Sequence, residues 1–113
     1  MKLVNLTPHT LTIRVGDKEV KIEPSGQVAR VATQQVVIDR LQFDGVKIPV
    51  VATKYGEVEG VPAPQEGVIY ITSSLVAGRV KRADVVAPDT GPTAIRNEQK
   101  QIVAVIRLAR LGE

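Results

Sequence analysis

The chain has 113 residues and a formal net charge of +3, which is the size of one ordinary domain. It contains no cysteine and a single histidine, and this excludes zinc fingers, iron–sulfur sites, thiol catalysis and disulfide scaffolds. Because there is neither a run of about 18 apolar residues nor a basic–apolar signal segment, we expect a cytoplasmic protein with no membrane partner.

The apolar residues are mainly of the kind that favours strands. Val, Ile and Thr number 19, 9 and 8, whereas Leu numbers 7. Branching at Cβ restricts side chains in a helix and suits a pleated sheet. With turn signals every 8–12 residues or so, the sequence predicts a mainly β fold. We expect residues 1–113 to form a single domain, a compact, antiparallel-dominated barrel or sandwich with at most one short helix.

The first third of the chain alternates between short strands and turns. Residues 2–6 form a predicted strand that ends at the turn Thr7-Pro8-His9. Residues 10–15 and 19–23 alternate apolar and polar side chains around the turn at residues 16–18, which predicts a hairpin. A break at Pro24-Ser25-Gly26 precedes another predicted strand over residues 27–33.

Residues 34–43 fit either a helix or a strand. We favour a strand because Asp44-Gly45 follows immediately and residues 46–52 are plainly a strand, which together make a hairpin. Residues 53–67 contain several glycines and prolines and are predicted to be a loop.

The second half contains the one predicted helix. Residues 68–72 are a predicted buried strand, and Ser73-Ser74 is expected to cap a short helix. Residues 84–87 form another predicted strand, followed by a loop over residues 88–93. Residues 101–108 are apolar on both faces, so we predict a central closing strand. Because small β domains must cover their sheet edges, we also expect a homo-oligomer, most simply a dimer.

The tripeptide Asp89-Thr90-Gly91 follows an apolar strand, as the catalytic tripeptide of aspartic proteases does. Only 22 residues follow Gly91, too few for the flap and second strand pair of that family, and the next residue is Pro92. We therefore interpret the tripeptide as a turn. His9 is similarly expected to brace its own turn, because one histidine does not establish a triad. The sequence predicts no catalytic residue and no enzyme.

The net positive charge is confined to the last third of the chain, where residues 78–113 carry 7 basic and 4 acidic side chains. Two interpretations remain open: an anion site, or a solvated face in which Asp84 and Glu98 pair with the basic residues. Duplex DNA is disfavoured, because it requires a wider basic stripe. No cofactor or metal is expected. The anion-site hypothesis names as ligand-binding candidates His9, Ser73, Ser74, Arg79, Lys81, Arg82, Thr90 and Arg96, with backbone amides near Ser73-Ser74 or Thr90-Gly91.

The opening Val4-Asn5-Leu6-Thr7-Pro8-His9 resembles that of a family of small proteins encoded by phages and prophages. The resemblance continues through Pro24-Ser25-Gly26 with Arg30, Val61-Pro62-x-Pro64, residues 67–73, and Arg82-x-Asp84-Val85-Val86-Ala87-Pro88. It implies an origin on a mobile element and hence the cytoplasm of a host cell. Two functions are consistent with it. One is capture of an anionic, nucleotide-like small molecule, such as a host immune signal; the alternative is a structural or protein-interaction module such as a virion accessory protein.

Overall fold

The computed structural model describes residues 1–111; Gly112 and Glu113 of the predicted domain lie outside the described residues. Over this range the chain is mainly β, with ten strands and one helix. The elements are β1 (Lys2–Asn5), β2 (Leu11–Val15), β3 (Lys18–Ile22), β4 (Arg30–Phe43), β5 (Val46–Glu59), β6 (Val68–Ile71), α1 (Ser74–Val80), β7 (Val85–Pro88), β8 (Ile95–Arg96), β9 (Ile102–Ala104) and β10 (Leu108–Ala109).

A four-stranded sheet in the order β1-β6-β7-β10 forms the body of the molecule. β6 is parallel to both β1 and β7, while β10 is antiparallel to β7. Helix α1 connects β6 to β7 and packs against the sheet, because parallel neighbours need a crossover connection. The buried core lies between this helix and the sheet and includes Leu6, Tyr70, Val76, Val85 and Ala87.

Two shorter hairpins complete the body. β2 pairs with β3 in the predicted hairpin, and β8 pairs with β9. The backbone of Val105 joins the two, since it accepts a hydrogen bond from the Arg14 amide at 2.8 Å and donates one to the Thr12 carbonyl at 3.0 Å. The β2–β3 hairpin is therefore held beside β9.

The β4–β5 hairpin, which we call the arm, extends away from the body. Its turn places Asp44 at φ 51° and Gly45 at φ 78°, the positive values of a two-residue hairpin turn whose twist matches the strands. Val31 and Val58 at its base pack against the core. The radius of gyration is 17.7 Å, compared with about 13 Å for a compact domain of this length. The prediction of a compact shape was therefore wrong, because the 14-residue strands of the arm extend away from the body and the molecule is 57 Å long but 27 Å thick.

Several predictions about the fold are confirmed. The protein is mainly β, most strand pairs are antiparallel, one short helix is present within residues 1–111, and residues 34–43 form a strand. No sheet of the described chain closes into a barrel. The sandwich remains a prediction.

Two segments differ from prediction. Residues 53–59 were expected to be a loop but belong to β5, where Thr53, Tyr55 and Val58 pair with residues of β4. Residues 101–108 do not form one central strand. They supply β9, bridge to β2 at Val105 and then change sheet to begin β10 at Leu108, so that Ile102, Val103 and Ile106 remain partly exposed.

Within residues 1–111, the structure contains no helix with the length and apolar character needed to span a membrane.

Candidate functional site

A cleft of about 610 Å³ lies at the carboxyl edge of the parallel strands. β1, β6 and β7 run in the same direction, so the segments that follow them meet at one edge of the sheet. The cleft volume falls within the ~300–1,000 Å³ of small-molecule sites. Its walls are formed by residues 7–12, residues 71–74, Pro88, Thr90 and residues 102–105.

The first wall is the turn Thr7-Pro8-His9, and the buried side chain of Asn5 holds it in place. Asn5 Oδ1 accepts hydrogen bonds from the Thr7 amide at 2.9 Å and from Thr7 Oγ1 at 2.6 Å. Asn5 Nδ2 donates to the carbonyl oxygens of His9 at 2.8 Å and Ile22 at 3.0 Å. The amide thereby joins the turn to β3 and presents His9 at the cleft.

The second wall is a run of three hydroxyl residues between β6 and α1. Thr72 is fully buried and its hydroxyl donates to the Ser73 carbonyl at 2.9 Å. Ser73 is the N-cap of α1, and its Oγ accepts a hydrogen bond from the Val76 amide at 3.3 Å. The Ser74 hydroxyl makes no hydrogen bond within residues 1–111, so it is available to a ligand.

The third wall is the loop after β7, which carries Thr90. The Asp89 carboxylate accepts hydrogen bonds from the Arg107 Nε at 2.6 Å and from the Gly91 amide at 3.0 Å. The Arg107 guanidinium, and then the Gly91 amide, hold the pKa of Asp89 below its ordinary value. Arg96 donates to the carbonyl oxygens of Thr90 at 3.3 Å and Gly91 at 3.4 Å. An exposed cation thus stands directly beside a lining residue of the cleft.

Four of the predicted ligand-binding residues, His9, Ser73, Ser74 and Thr90, line this cleft, although they come from three separate parts of the chain. Arg96 is anchored at its rim through Thr90. Lys81 is not among the lining residues and ends α1 in a left-handed conformation, where its amide donates to the Ala77 carbonyl at 3.2 Å.

The structure does not bring Arg79 and Arg82 to the cleft. The guanidinium of Arg79 lies 5.4 Å from the centre of the Tyr55 ring, at the base of the arm. Arg82 forms a bidentate ion pair with Asp84, at 2.9 Å through Nε and 2.6 Å through Nη2. Its Nη1 also donates to the Pro62 carbonyl at 3.0 Å. Arg82 therefore fastens the 62–64 segment to the start of β7, and each of its three nitrogens already donates a hydrogen bond within the protein.

The Arg82–Asp84 pair is a partly buried structural contact. Hydrogen bonding from the guanidinium holds the pKa of Asp84 below its ordinary value, and the carboxylate raises the pKa of Arg82. The sequence left open whether the basic residues form an anion site or pair with acidic neighbours. Arg82 follows the second interpretation, because it pairs with Asp84. Glu98 forms no ion pair with a basic residue within residues 1–111.

Sequence reasoning missed the apolar wall of the cleft. Leu11, Ile71 and residues 102–105 contribute to the lining, and they come from strands whose pairing partners could not be known. Thr72 was also missed, although a hydroxyl residue directly after a buried strand is a recognisable signal. Among the described lining residues, His9 is the one with an ionisable side chain, and the other polar side chains are the uncharged hydroxyls of threonine and serine. The cleft therefore combines an apolar wall with hydroxyl groups that can form hydrogen bonds.

No three His, Cys, Asp or Glu residues cluster as metal ligands within residues 1–111.

In comparisons with known proteins, no family model matches the chain, and neither a curated protein nor a solved structure matches it significantly.

Proposed function

We propose that this protein binds a nucleotide-like anionic small molecule in the cleft at the carboxyl edge of β1, β6 and β7, and that it does not convert this molecule chemically. The observation that carries the proposal is the meeting of His9, Ser73, Ser74 and Thr90 in one cleft of about 610 Å³. Edges of this kind commonly hold ligands, because loops there are positioned by rigid strands.

The two chemistries of the cleft suit the two parts of such a ligand. A flat base can lie against the apolar wall formed by Leu11, Ile102 and Val103. Charged oxygens can accept hydrogen bonds from the Ser74 and Thr90 hydroxyls. Arg96 stands beside Thr90 and adds a planar set of donors, which suits phosphate geometry. Its bonds to the Thr90 and Gly91 carbonyls are long and exposed, so it can exchange them for a ligand at small cost.

The groups in the cleft support capture rather than catalysis. A nucleophilic mechanism requires a base within hydrogen-bonding reach of the nucleophile. Among residues 1–111, no hydrogen bond joins His9 to Ser73, Ser74 or Thr90 through side chains. The resemblance to phage-encoded proteins suggests a specific use for capture, the sequestration of a nucleotide signal in the cytoplasm of a host cell.

The test is the denaturation midpoint of the protein measured with and without a panel of nucleotides and cyclic nucleotides. A ligand present at 100 times its dissociation constant should add about 2.7 kcal/mol to the free energy of unfolding. Ser74→Ala should reduce this gain, whereas Ser25→Ala, at an exposed position that does not line the cleft, should not. Midpoints that stay flat across the panel would contradict ligand capture.

A second candidate function is a structural or protein-interaction module, such as a virion accessory protein. The arm favours it, because two strands of 14 residues each project from the body. A two-stranded ribbon of this length serves no purpose in forming the cleft, since no residue of the arm lines it.

A further inference from the structure

Glu23 lies at the rim of the cleft, on the side of the first wall. Its Oε2 accepts a hydrogen bond of 2.8 Å from Thr10 Oγ1, and Thr10 is one of the residues that line the cleft. Arg96 has the same relationship to the third wall, where it donates to the carbonyl oxygen of the lining residue Thr90 at 3.3 Å. The cleft therefore has a carboxylate beside its first wall and a guanidinium beside its third wall.

The backbone on both sides of Glu23 is fixed to Asn5. The Ile22 carbonyl accepts a hydrogen bond from Asn5 Nδ2 at 3.0 Å, and Pro24 forms a β-bridge to Asn5. The Ser25 amide then donates to the Asn5 carbonyl at 2.9 Å. Because Asn5 is buried and also holds the turn of the first wall, the same residue positions Glu23 and the wall beside it.

The Glu23 carboxylate can still accept a hydrogen bond from a ligand. The residue is exposed, its Oε1 accepts no hydrogen bond within residues 1–111, and it forms no ion pair there. An ionised carboxylate accepts hydrogen bonds and donates none. A ligand group that lies beside Glu23 must therefore be a donor, since an anionic group would be repelled.

We infer that Glu23 accepts a hydrogen bond from a hydroxyl or amino group of the bound nucleotide and thereby fixes the direction in which the ligand lies. This inference rests on the proposed function and deepens it. The phosphate lies beside Thr90 and Arg96, and the Glu23 charge keeps it away from the first wall. The donor, a sugar hydroxyl or the exocyclic amino group of a base, lies beside Thr10.

A carboxylate is a suitable group for this recognition. In dinucleotide-binding folds an Asp or Glu accepts a hydrogen bond from the ribose 2′-hydroxyl. Thr10 is also next in sequence to Leu11, which belongs to the apolar wall on which the base can lie. A nucleotide with its base on this wall can thus present its sugar, or the edge of its base, to Glu23.

The first experiment measures dissociation constants by isothermal titration for the wild type, Glu23→Ala and Glu66→Ala. The control Glu66→Ala removes the same charge from an exposed residue that precedes β6, at the opposite edge of the sheet. The probes are adenosine and guanosine monophosphate. We expect Glu23→Ala to weaken their binding roughly three- to ten-fold, the usual net contribution of one hydrogen bond. Glu66→Ala should leave it unchanged.

Analogues of the two probes identify the donor. One set lacks the 2′-hydroxyl, and the other lacks the exocyclic amino group. The wild type should bind the analogue without the donor roughly three- to ten-fold more weakly than the parent nucleotide. Glu23→Ala should bind the analogue and the parent equally. The two losses do not add, because both changes remove the same hydrogen bond.

The second experiment uses inorganic phosphate, which has neither sugar nor base, and follows the Thr90 amide signal in an NMR titration. Glu23→Ala should bind phosphate as tightly as the wild type or more tightly, because a negative charge has been removed. The same variant should bind the ribonucleotides more weakly. Damage to the first wall would weaken both ligands, so opposite responses separate contact with the ligand from a structural role.

Equal ribonucleotide affinities of the wild type and Glu23→Ala would overturn the inference. So would an analogue preference that persists in Glu23→Ala, or parallel losses for phosphate and ribonucleotides. If the ribonucleotides bind and Arg96→Ala weakens them while Glu23→Ala does not, the proposed function stands and the inference alone fails. If no nucleotide binds, both fail.

Discussion

The side-chain amide of Asn5 donates a hydrogen bond of 2.8 Å to the carbonyl oxygen of His9, four residues along the chain. Asn5 is 1% exposed, and its two side-chain polar atoms together make four hydrogen bonds. Buried polar groups are stable only when their hydrogen bonds are made. The hydrogen bonds of Asn5 thus fix the Asn-Leu-Thr-Pro-His segment in the turn that forms one wall of the cleft.

Replacing Asn5 by Ala should destabilise the protein by about 2–3 kcal/mol, because the Ile22 and His9 carbonyls and the Thr7 amide lose their partner. Urea denaturation measures this loss. Asn97→Ala is the matched control, since Asn97 is exposed and its amide partners can turn to water; we expect a loss below about 1 kcal/mol. Equal losses at the two sites would contradict the role given to Asn5.

The Arg82–Asp84 pair should make stability depend on pH in the acidic range. The folded-state pKa of Asp84 is lowered by the Arg82 hydrogen bonds, so the unfolded chain binds a proton more readily. The pair therefore stabilises the fold fully above the unfolded pKa, and this contribution is lost as the pH falls through the lower, folded pKa. Asp84→Asn should remove this part of the pH dependence, which urea denaturation between neutral and acidic pH will show.

The same contact predicts a structural role for Arg82. Arg82→Ala should reduce stability by about 1–2 kcal/mol, because a charged, bidentate hydrogen bond and the bond to the Pro62 carbonyl are lost. The affinity for any ligand of the cleft should be unchanged, as isothermal titration can verify. If Arg82→Ala instead caused a large loss of ligand affinity with little loss of stability, Arg82 would be a ligand-binding residue.

Arg96 and Arg79 form a matched pair for testing the location of the anion site. Arg96→Ala should weaken binding of the nucleotide that gives the largest midpoint shift by about 1.5–3 kcal/mol, or roughly 10- to 150-fold. Arg79→Ala makes the same change at a residue of α1 whose guanidinium lies over Tyr55, at the base of the arm. This variant should leave binding unchanged. If Arg79→Ala weakened binding more than Arg96→Ala did, the anion site would not lie beside Thr90.

Two glycines with positive φ separate the cost of backbone strain from that of a steric clash. Gly45 (φ 78°) has open space where a Cβ would stand, whereas at Gly60 (φ 88°) a Cβ would lie 2.5 Å from the Val28 carbonyl oxygen. Gly45→Ala should cost about 1–2 kcal/mol, the strain of a left-handed alanine. Gly60→Ala should cost clearly more, because backbone must also move. Chemical denaturation compares the two, and similar losses would contradict the clash.

The sequence by itself determined those features that depend on neighbouring residues. The alternation in residues 11–15 and 18–22 defined a hairpin, Asp44-Gly45 defined the turn of the arm, and Ser73 defined the start of α1. Each rests on interactions within a few residues, namely side-chain alternation, positive φ and a hydroxyl N-cap. The local hydroxyl and turn chemistry was also sufficient to select His9, Ser73, Ser74 and Thr90 as candidates.

Only the tertiary structure decided how these elements meet. The parallel pairing of Lys2–Asn5 with Val68–Ile71 joins segments more than sixty residues apart, and it is this pairing that places the three polar turns at one edge. Likewise, a basic residue in the sequence has no defined partner: Arg82 pairs with Asp84, while Arg96 lies beside Thr90. The strands of the arm have ordinary alternation, yet they leave the core. Whether a strand is covered depends on which surfaces the rest of the chain brings near it, and no local pattern encodes that.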